Sequence, residues 1–129
     1  MRTRVTAILV ARHGGEWLDE TLAALAAQTR QPDRVIAVVN GGRESIAHEL
    51  RTREGITGVV STQNIVSFGG AVQQGIAAVP SDPATGSTAE QTQDWFWLLS
   101  EDSAPEPRAL AEILSTVQRA PSVAIAGPK

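Results

Sequence analysis

The chain has 129 residues, 42% hydrophobic and 19% charged, with a formal net charge of −3 and no cysteine. That is the make-up of one ordinary globular domain, large enough to bury roughly two-thirds of its unfolded surface. It argues against wholesale disorder and against a dedicated nucleic-acid binder, which needs a basic face, and it excludes disulfides, thiolate metal sites and thiol nucleophiles. The two histidines leave little for a histidine-rich metal site. The apolar runs fall well short of the ~20 residues a membrane helix needs, and the amino terminus has no secretory cleavage pattern. A cytoplasmic protein is expected.

In chain order, Val5 to Ala11 is a short β-branched apolar run and reads as a buried strand of a parallel sheet. Arg12-His13-Gly14-Gly15 is a turn, and Glu16 to Gln28 places Leu18, Leu22 and Leu25 on one helical stripe, with Trp17 expected to anchor that helix. Arg34 to Val39 reads as a second buried strand closed by Asn40-Gly41-Gly42, Ser45 to Arg53 as a short helix with Ile46 and Leu50 inward, and Gly58 to Ser61 as a weak third strand. Phe68 to Val79 is a helical pattern through Val72, Ile76 and Val79. The polar stretch 80–93 is long for a connection and is expected to be a mobile surface loop. Trp95 to Leu99 is the most apolar strand, its two tryptophans expected in the core. Ser103 and Glu106 have capping-box spacing ahead of a helix carrying Leu110, Ile113, Leu114 and Val117, with Pro105 and Pro107 in its first turn. Ser122 to Ala126 reads as a last strand. The alternation predicts a single domain with a three-layer α/β/α architecture and a mostly parallel sheet.

In such sheets ligands bind beyond the carboxyl ends of the strands. The residues there are Ala11, Arg12, His13 and Gly14; Asn40, Gly41 and Gly42; Gln63, Asn64 and Phe68-Gly69-Gly70; Ser100, Glu101, Asp102 and Ser103; and Gly127, Pro128 and Lys129. The adjacent acids carry the most information. Two carboxylates at the end of a hydrophobic strand repel each other, and Mg²⁺ or Mn²⁺ would relieve that cost. The alternative is that Asp102-Ser103 starts a helix, where acids and hydroxyls suit the free N–H groups. The glycine pairs serve either as close-approach turns for phosphate or as plain turns. Neither a dinucleotide-binding G-x-G-x-x-G after the first strand nor a P-loop occurs.

Taken together these motifs resemble the amino-terminal half of a family 2 glycosyltransferase, with the type A nucleotide-sugar-transferase fold, a Rossmann-like architecture. The chain looks most like actinobacterial members. Val5 to Leu22 lies on that family's opening strand, loop and helix, and Ala27-Gln28-Thr29 on its A/L-x-Q-T element. Pro32 to Gly42 is similar to its second strand and turn, Phe68-Gly-Gly-Ala-Val-Gln-Gln-Gly75-Ile to its N-x-G-F-x-x-A-x-N-x-G-I segment, and Ala126-Gly-Pro-Lys129 to its G-P-K strand end. Trp95 to Pro107 resembles the strand, D-x-D-type metal motif and following helix. Asn40 stands where the family has an acid, Ser100 where the first D of D-x-D falls, Ser67 in place of the glycine before Phe68, and Arg12 in place of a frequent aromatic.

The resemblance implies a nucleotide-sugar donor held by Ala11, Arg12, His13, Asn40, Gly41, Gly42, Phe68, Gly69, Gly70, Glu101 and Asp102. It further implies Mg²⁺ or Mn²⁺ on Asp102 and Glu101, stabilising the departing nucleoside diphosphate. The sugar would pass, with inversion, to a glycan, lipid-linked or polysaccharide acceptor of the cell envelope. It also implies that the chain is the donor half alone, inactive by itself, with the catalytic base beyond Lys129 and any membrane attachment, on the cytoplasmic face, in a downstream region. An apolar patch is then expected near the last strand, open to self-association into a homo-oligomer. Two other readings stand beside it: a non-catalytic binding or assembly module with the same fold, and a flavodoxin-like regulatory domain. The latter needs an exposed acid after the first strand, where Ala11-Arg12 offers none.

Overall fold

The computed structural model describes residues 2–80, 92–120, 122, 123 and 125–127. Its elements, in chain order, are β1 (Arg2–Ala11), α1 (Glu16–Ala26), β2 (Arg34–Val39), α2 (Glu44–Arg51), β3 (Gly58–Ser61), α3 (Phe68–Ala77), β4 (Thr92–Ser100) and α4 (Ala109–Gln118). The four strands form one all-parallel sheet in the order β3-β2-β1-β4. The chain winds outward from β1 to β3, then returns to place β4 on the free side of β1. The winding direction therefore reverses between β1 and β4, and open α/β sheets bind ligands at such a reversal.

Helices cover both faces. Ala7, Leu9, Ala11, Val35, Ala37 and Val39 pack with Leu18 and Leu25 of α1 and with Ile46, Ala47 and Leu50 of α2. On the opposite face Ile8, Val10, Ile36 and Val38 meet Ala71 and Val72 of α3. Burial on both faces explains why β1 and β2 read as unbroken apolar runs. Gly75 permits the close docking of α3: a Cβ there would lie 2.8 Å from Val38 Cγ2 and 2.9 Å from Ile8 Cγ2.

β4 departs from the sequence expectation. It begins at Thr92, so residues 92 and 93 belong to the sheet rather than to the 80–93 loop, while residues 81–91 lie outside the described residues. Its pairing with Arg2 to Val10 of β1 runs the full length of β4, and this ladder extends the strand beyond its apolar stretch. Trp95 and Trp97 are half-buried rather than core residues, though Trp97 packs against the α1 side of the sheet. Phe96 and Leu98 remain 40% and 48% exposed on the other face. α3 packs on β1 and β2 and leaves this stretch of sheet bare.

Two further expectations are corrected. α4 starts at Ala109 without a side-chain cap from Arg108, and the Ser103–Glu106 capping box does not form. Residues preceding proline are driven to extended backbone, so Ala104 and Glu106 cannot enter the helix and it begins only after Pro107. The Gln28 side chain takes over the capping: its Oε1 accepts from Leu110 N at 3.2 Å, and its Nε2 donates to Glu106 O at 2.7 Å. Thr29 N adds a bond to Pro107 O. The expected last strand is also not seen among the described residues. Among the described residues of 122–126 none is in a strand, and Ile125 is 92% exposed. A β-branched run becomes a strand only against a partner edge, and none of the described residues of this run is paired with one.

Candidate functional site

A cleft of about 450 Å³ opens at the carboxyl ends of β1 and β4, where the winding reverses. Val10, Arg12, His13 and Gly14 line it from β1 and the loop after it, and Ser100, Glu101 and Asp102 from the end of β4. Asn40, Val66 and Phe68 close the β2 side, and Trp17 stands over it from α1.

The two acids are held differently. The Glu101 carboxylate turns back onto the β1–α1 loop, accepting from Arg12 N at 3.0 Å, from His13 N at 2.8 and 3.1 Å, and from Gly14 N at 2.9 Å. Successive N–H groups converging on one anion form a nest, and the fixed dipoles offset the cost of placing a carboxylate there. Asp102 is exposed in the cleft and, among the described residues, accepts only from Ser100 Oγ, at 2.5 Å. Neither acid opens a helix, since α4 lies well downstream. The mutual repulsion that the sequence raises is relieved on the Glu101 side by backbone donors.

The turn between the acids is anchored from below. Thr21 is fully buried on α1, and its hydroxyl lies 2.7 Å from Glu101 O, 2.5 Å from Ser103 O and 2.9 Å from Trp17 O. A hydroxyl has one proton, so it donates to one of these carbonyls at a time. Thr21 lies three residues after Leu18 and four before Leu25, so the helical period puts it on the buried stripe; that spacing is the signal that finds it, though its carbonyl partners are set only by the fold.

Asn40 is placed at the cleft, but its amide is committed to the chain. Its Nδ2 donates to Val66 O at 2.8 Å, and its Oδ1 accepts from Val66 N at 2.9 Å and Thr62 Oγ1 at 3.3 Å. It thus holds the segment leading into α3, where Ser67 Oγ caps Gly70 N. Gly41 and Gly42 sit behind the cleft lining. Gly42 has φ 68, and a Cβ there would lie 2.7 Å from Thr62 O, so only glycine fits this turn. Ala11 is buried within β1, and Gly69 and Gly70 form the first turn of α3, all outside the lining. Gly127 is exposed, and Pro128 and Lys129 lie outside the described residues.

The sequence expects Trp17 to anchor α1; it is instead 67% exposed. Leu18, Thr21 and Leu25 occupy the buried side of the helix, and the preceding position, a quarter-turn away, faces the cleft. Together with Phe68, 45% exposed, it gives the cleft two aromatic faces at its rim. The Arg12 and His13 side chains are exposed there, without a protein partner among the described residues.

The model of the family described as glycosyltransferase like family 2 matches residues 3–129. The chain belongs to this family. No curated protein matches it. Membership carries the family's general chemistry, sugar transfer from a nucleotide-sugar donor to an acceptor. The parallel sheet with helices on both faces agrees with the Rossmann-like type A fold of glycosyltransferases. A second, larger cleft, about 770 Å³, lies toward the other end of the sheet between α1 and the segment after α2, away from these residues. No described helix is long and apolar enough to cross a membrane.

Proposed function

We propose that the cleft at β1 and β4 is the donor site of a glycosyltransferase and binds a nucleoside-diphosphate sugar together with a divalent cation. The observation that carries this reading is the grouping, at the winding reversal of a family 2 sheet, of an exposed Asp102, of Arg12 and His13 whose side chains have no partner among the described residues, and of two exposed aromatics. Trp17 and Phe68 offer flat faces for the base or sugar. Arg12 supplies positive charge to the diphosphate. Hard carboxylate and hydroxyl oxygens suit Mg²⁺ or Mn²⁺, which fill their remaining positions with phosphate oxygens and water. Among the described residues no group of three acidic, histidine or cysteine side chains is available to hold a metal. Asp102, and Ser100 beside it, would therefore share the cation with the donor. When bound, the cation stabilises charge on the leaving diphosphate. The acceptor in this reading is a cell-envelope glycan or its lipid-linked precursor, reached at the cytoplasmic side of the membrane.

Titration of the 129-residue chain with a panel of nucleoside diphosphates, with and without Mn²⁺, tests this by calorimetry. Metal-dependent binding that disappears in Asp102→Asn is the expected result. Absence of binding by every diphosphate tested would overturn the donor reading and favour a binding or assembly module of the same fold. The commitment of the Asn40 amide to Val66 is the observation that keeps that second reading in play.

A further inference from the structure

The geometry points to Glu101 as a positioning residue rather than a cation ligand: its carboxylate braces the β1–α1 loop against the end of β4 and leaves Asp102, of the acids lining the cleft among the described residues, as the one offered to the metal. This rests on the donor-site reading above and divides the labour within it. Both Glu101 oxygens are engaged, Oε1 by His13 N and Oε2 by the N–H groups of Arg12, His13 and Gly14. A cation approaching that carboxylate would meet the positive ends of three N–H dipoles. The backbone of the same residue is fixed on its other side, where Glu101 O lies 2.7 Å from the buried Thr21 hydroxyl. One residue thus joins three parts of the site: the loop presenting Arg12 and His13, the turn presenting Asp102, and α1, which presents Trp17. The free loop cannot hold itself in this form, because its N–H groups point inward at an anion that another strand must supply. Without Glu101 those donors would turn to water and the two side chains would lose their fixed place over the cleft.

Three variants and two readouts separate bracing from ligation. Glu101→Gln removes the charge and puts an NH₂ among the N–H donors. Glu101→Asp keeps a carboxylate but draws it back by one methylene, and Asp102→Asn is the control. The first readout is hydrogen exchange at the amides of Arg12, His13 and Gly14. The second is Mn²⁺ binding to the chain alone, followed by the loss of the free-Mn²⁺ electron paramagnetic resonance signal. Expected for both Glu101 variants is amide exchange at least about tenfold faster, the size of losing a charge-assisted hydrogen bond, with Mn²⁺ affinity within about threefold of the parent chain. Asp102→Asn is expected to do the reverse. Unchanged exchange in Glu101→Gln together with loss of Mn²⁺ binding would overturn the proposal and make Glu101 a ligand. If Glu101→Gln does not fold, Glu101→Asp decides by the same two readouts. If the parent chain binds no Mn²⁺ and no nucleotide, the donor reading fails. The exchange readout still reports on the brace, so the two failures are distinguishable.

Discussion

β2 and β4 flank the same central strand, yet one is buried on both faces and the other on one. β2 lies between α2 on one side and α3 on the other, and from Val35 to Val39 every residue is buried. β4 is at least as apolar in sequence over Trp95 to Leu99, but Phe96 and Leu98 stand open because α3 stops over β1 and β2. An apolar run therefore reports that a strand is wanted in a sheet. It does not report how many faces are covered. The same asymmetry shapes the cleft, because the open side of β4 ends at Ser100 to Asp102 while the closed side of β2 ends in a tightly bonded turn at Asn40 to Gly42.

Substitutions can break or sharpen this contrast. The largest effect is expected at the shared centre: Leu9→Ala, at a fully buried position of β1, should cost about 2–5 kcal/mol in urea unfolding. Gly75→Val should cost about 1–3 kcal/mol by forcing α3 off Val38 and Ile8, and should leave the packing of Trp97 unchanged as read by tryptophan fluorescence. If it disturbs Trp97 as well, the two sides of the sheet are coupled more tightly than their coverage implies. Gln28→Ala, which removes the cap on α4 and the tie to Glu106, should cost about 1–2 kcal/mol. Gln28→Glu should recover only part of that, since a carboxylate accepts from Leu110 N but cannot donate to Glu106 O. The smallest effect is expected on the open face, where Leu98→Ala should cost under about 1 kcal/mol. Phe96→Ser with Leu98→Ser should lower the fluorescence of a dye that binds exposed apolar surface. A cost at Leu98 equal to that at Leu9 would mean that β4 is covered on both faces and would end the contrast.

Much of the fold and part of the site could be read in advance. The period and composition of Val5 to Ala11 and Arg34 to Val39 identify strands of the sheet. The order of elements identifies a parallel sheet, and the rule for strand ends picks out Arg12, His13, Asn40, Glu101 and Asp102 as neighbours in space. What escaped were features that depend on what lies opposite. Trp17 reads as an anchor of the first helix, whereas its position on α1 turns it to the cleft. Thr21 falls by spacing on the stripe of Leu18 and Leu25, but nothing local says that its hydroxyl ties the acid turn to α1. Gln28 reads as part of an A/L-x-Q-T element, but its task as the cap of a helix some eighty residues downstream is set only in space.

The sequence by itself determined the sheet, its layers and the strand ends from which the cleft is built, because periodicity and strand-end position are local properties of the chain. Only the tertiary structure decided what each polar group in the cleft does. A carboxylate, an amide or a hydroxyl takes its role from the partners that reach it. Three N–H groups reach Glu101, both backbone groups of Val66 reach Asn40, and one serine hydroxyl reaches Asp102, leaving that acid exposed in the cleft. Adjacent acids that are alike in the sequence become a brace and a candidate ligand because they face different neighbours.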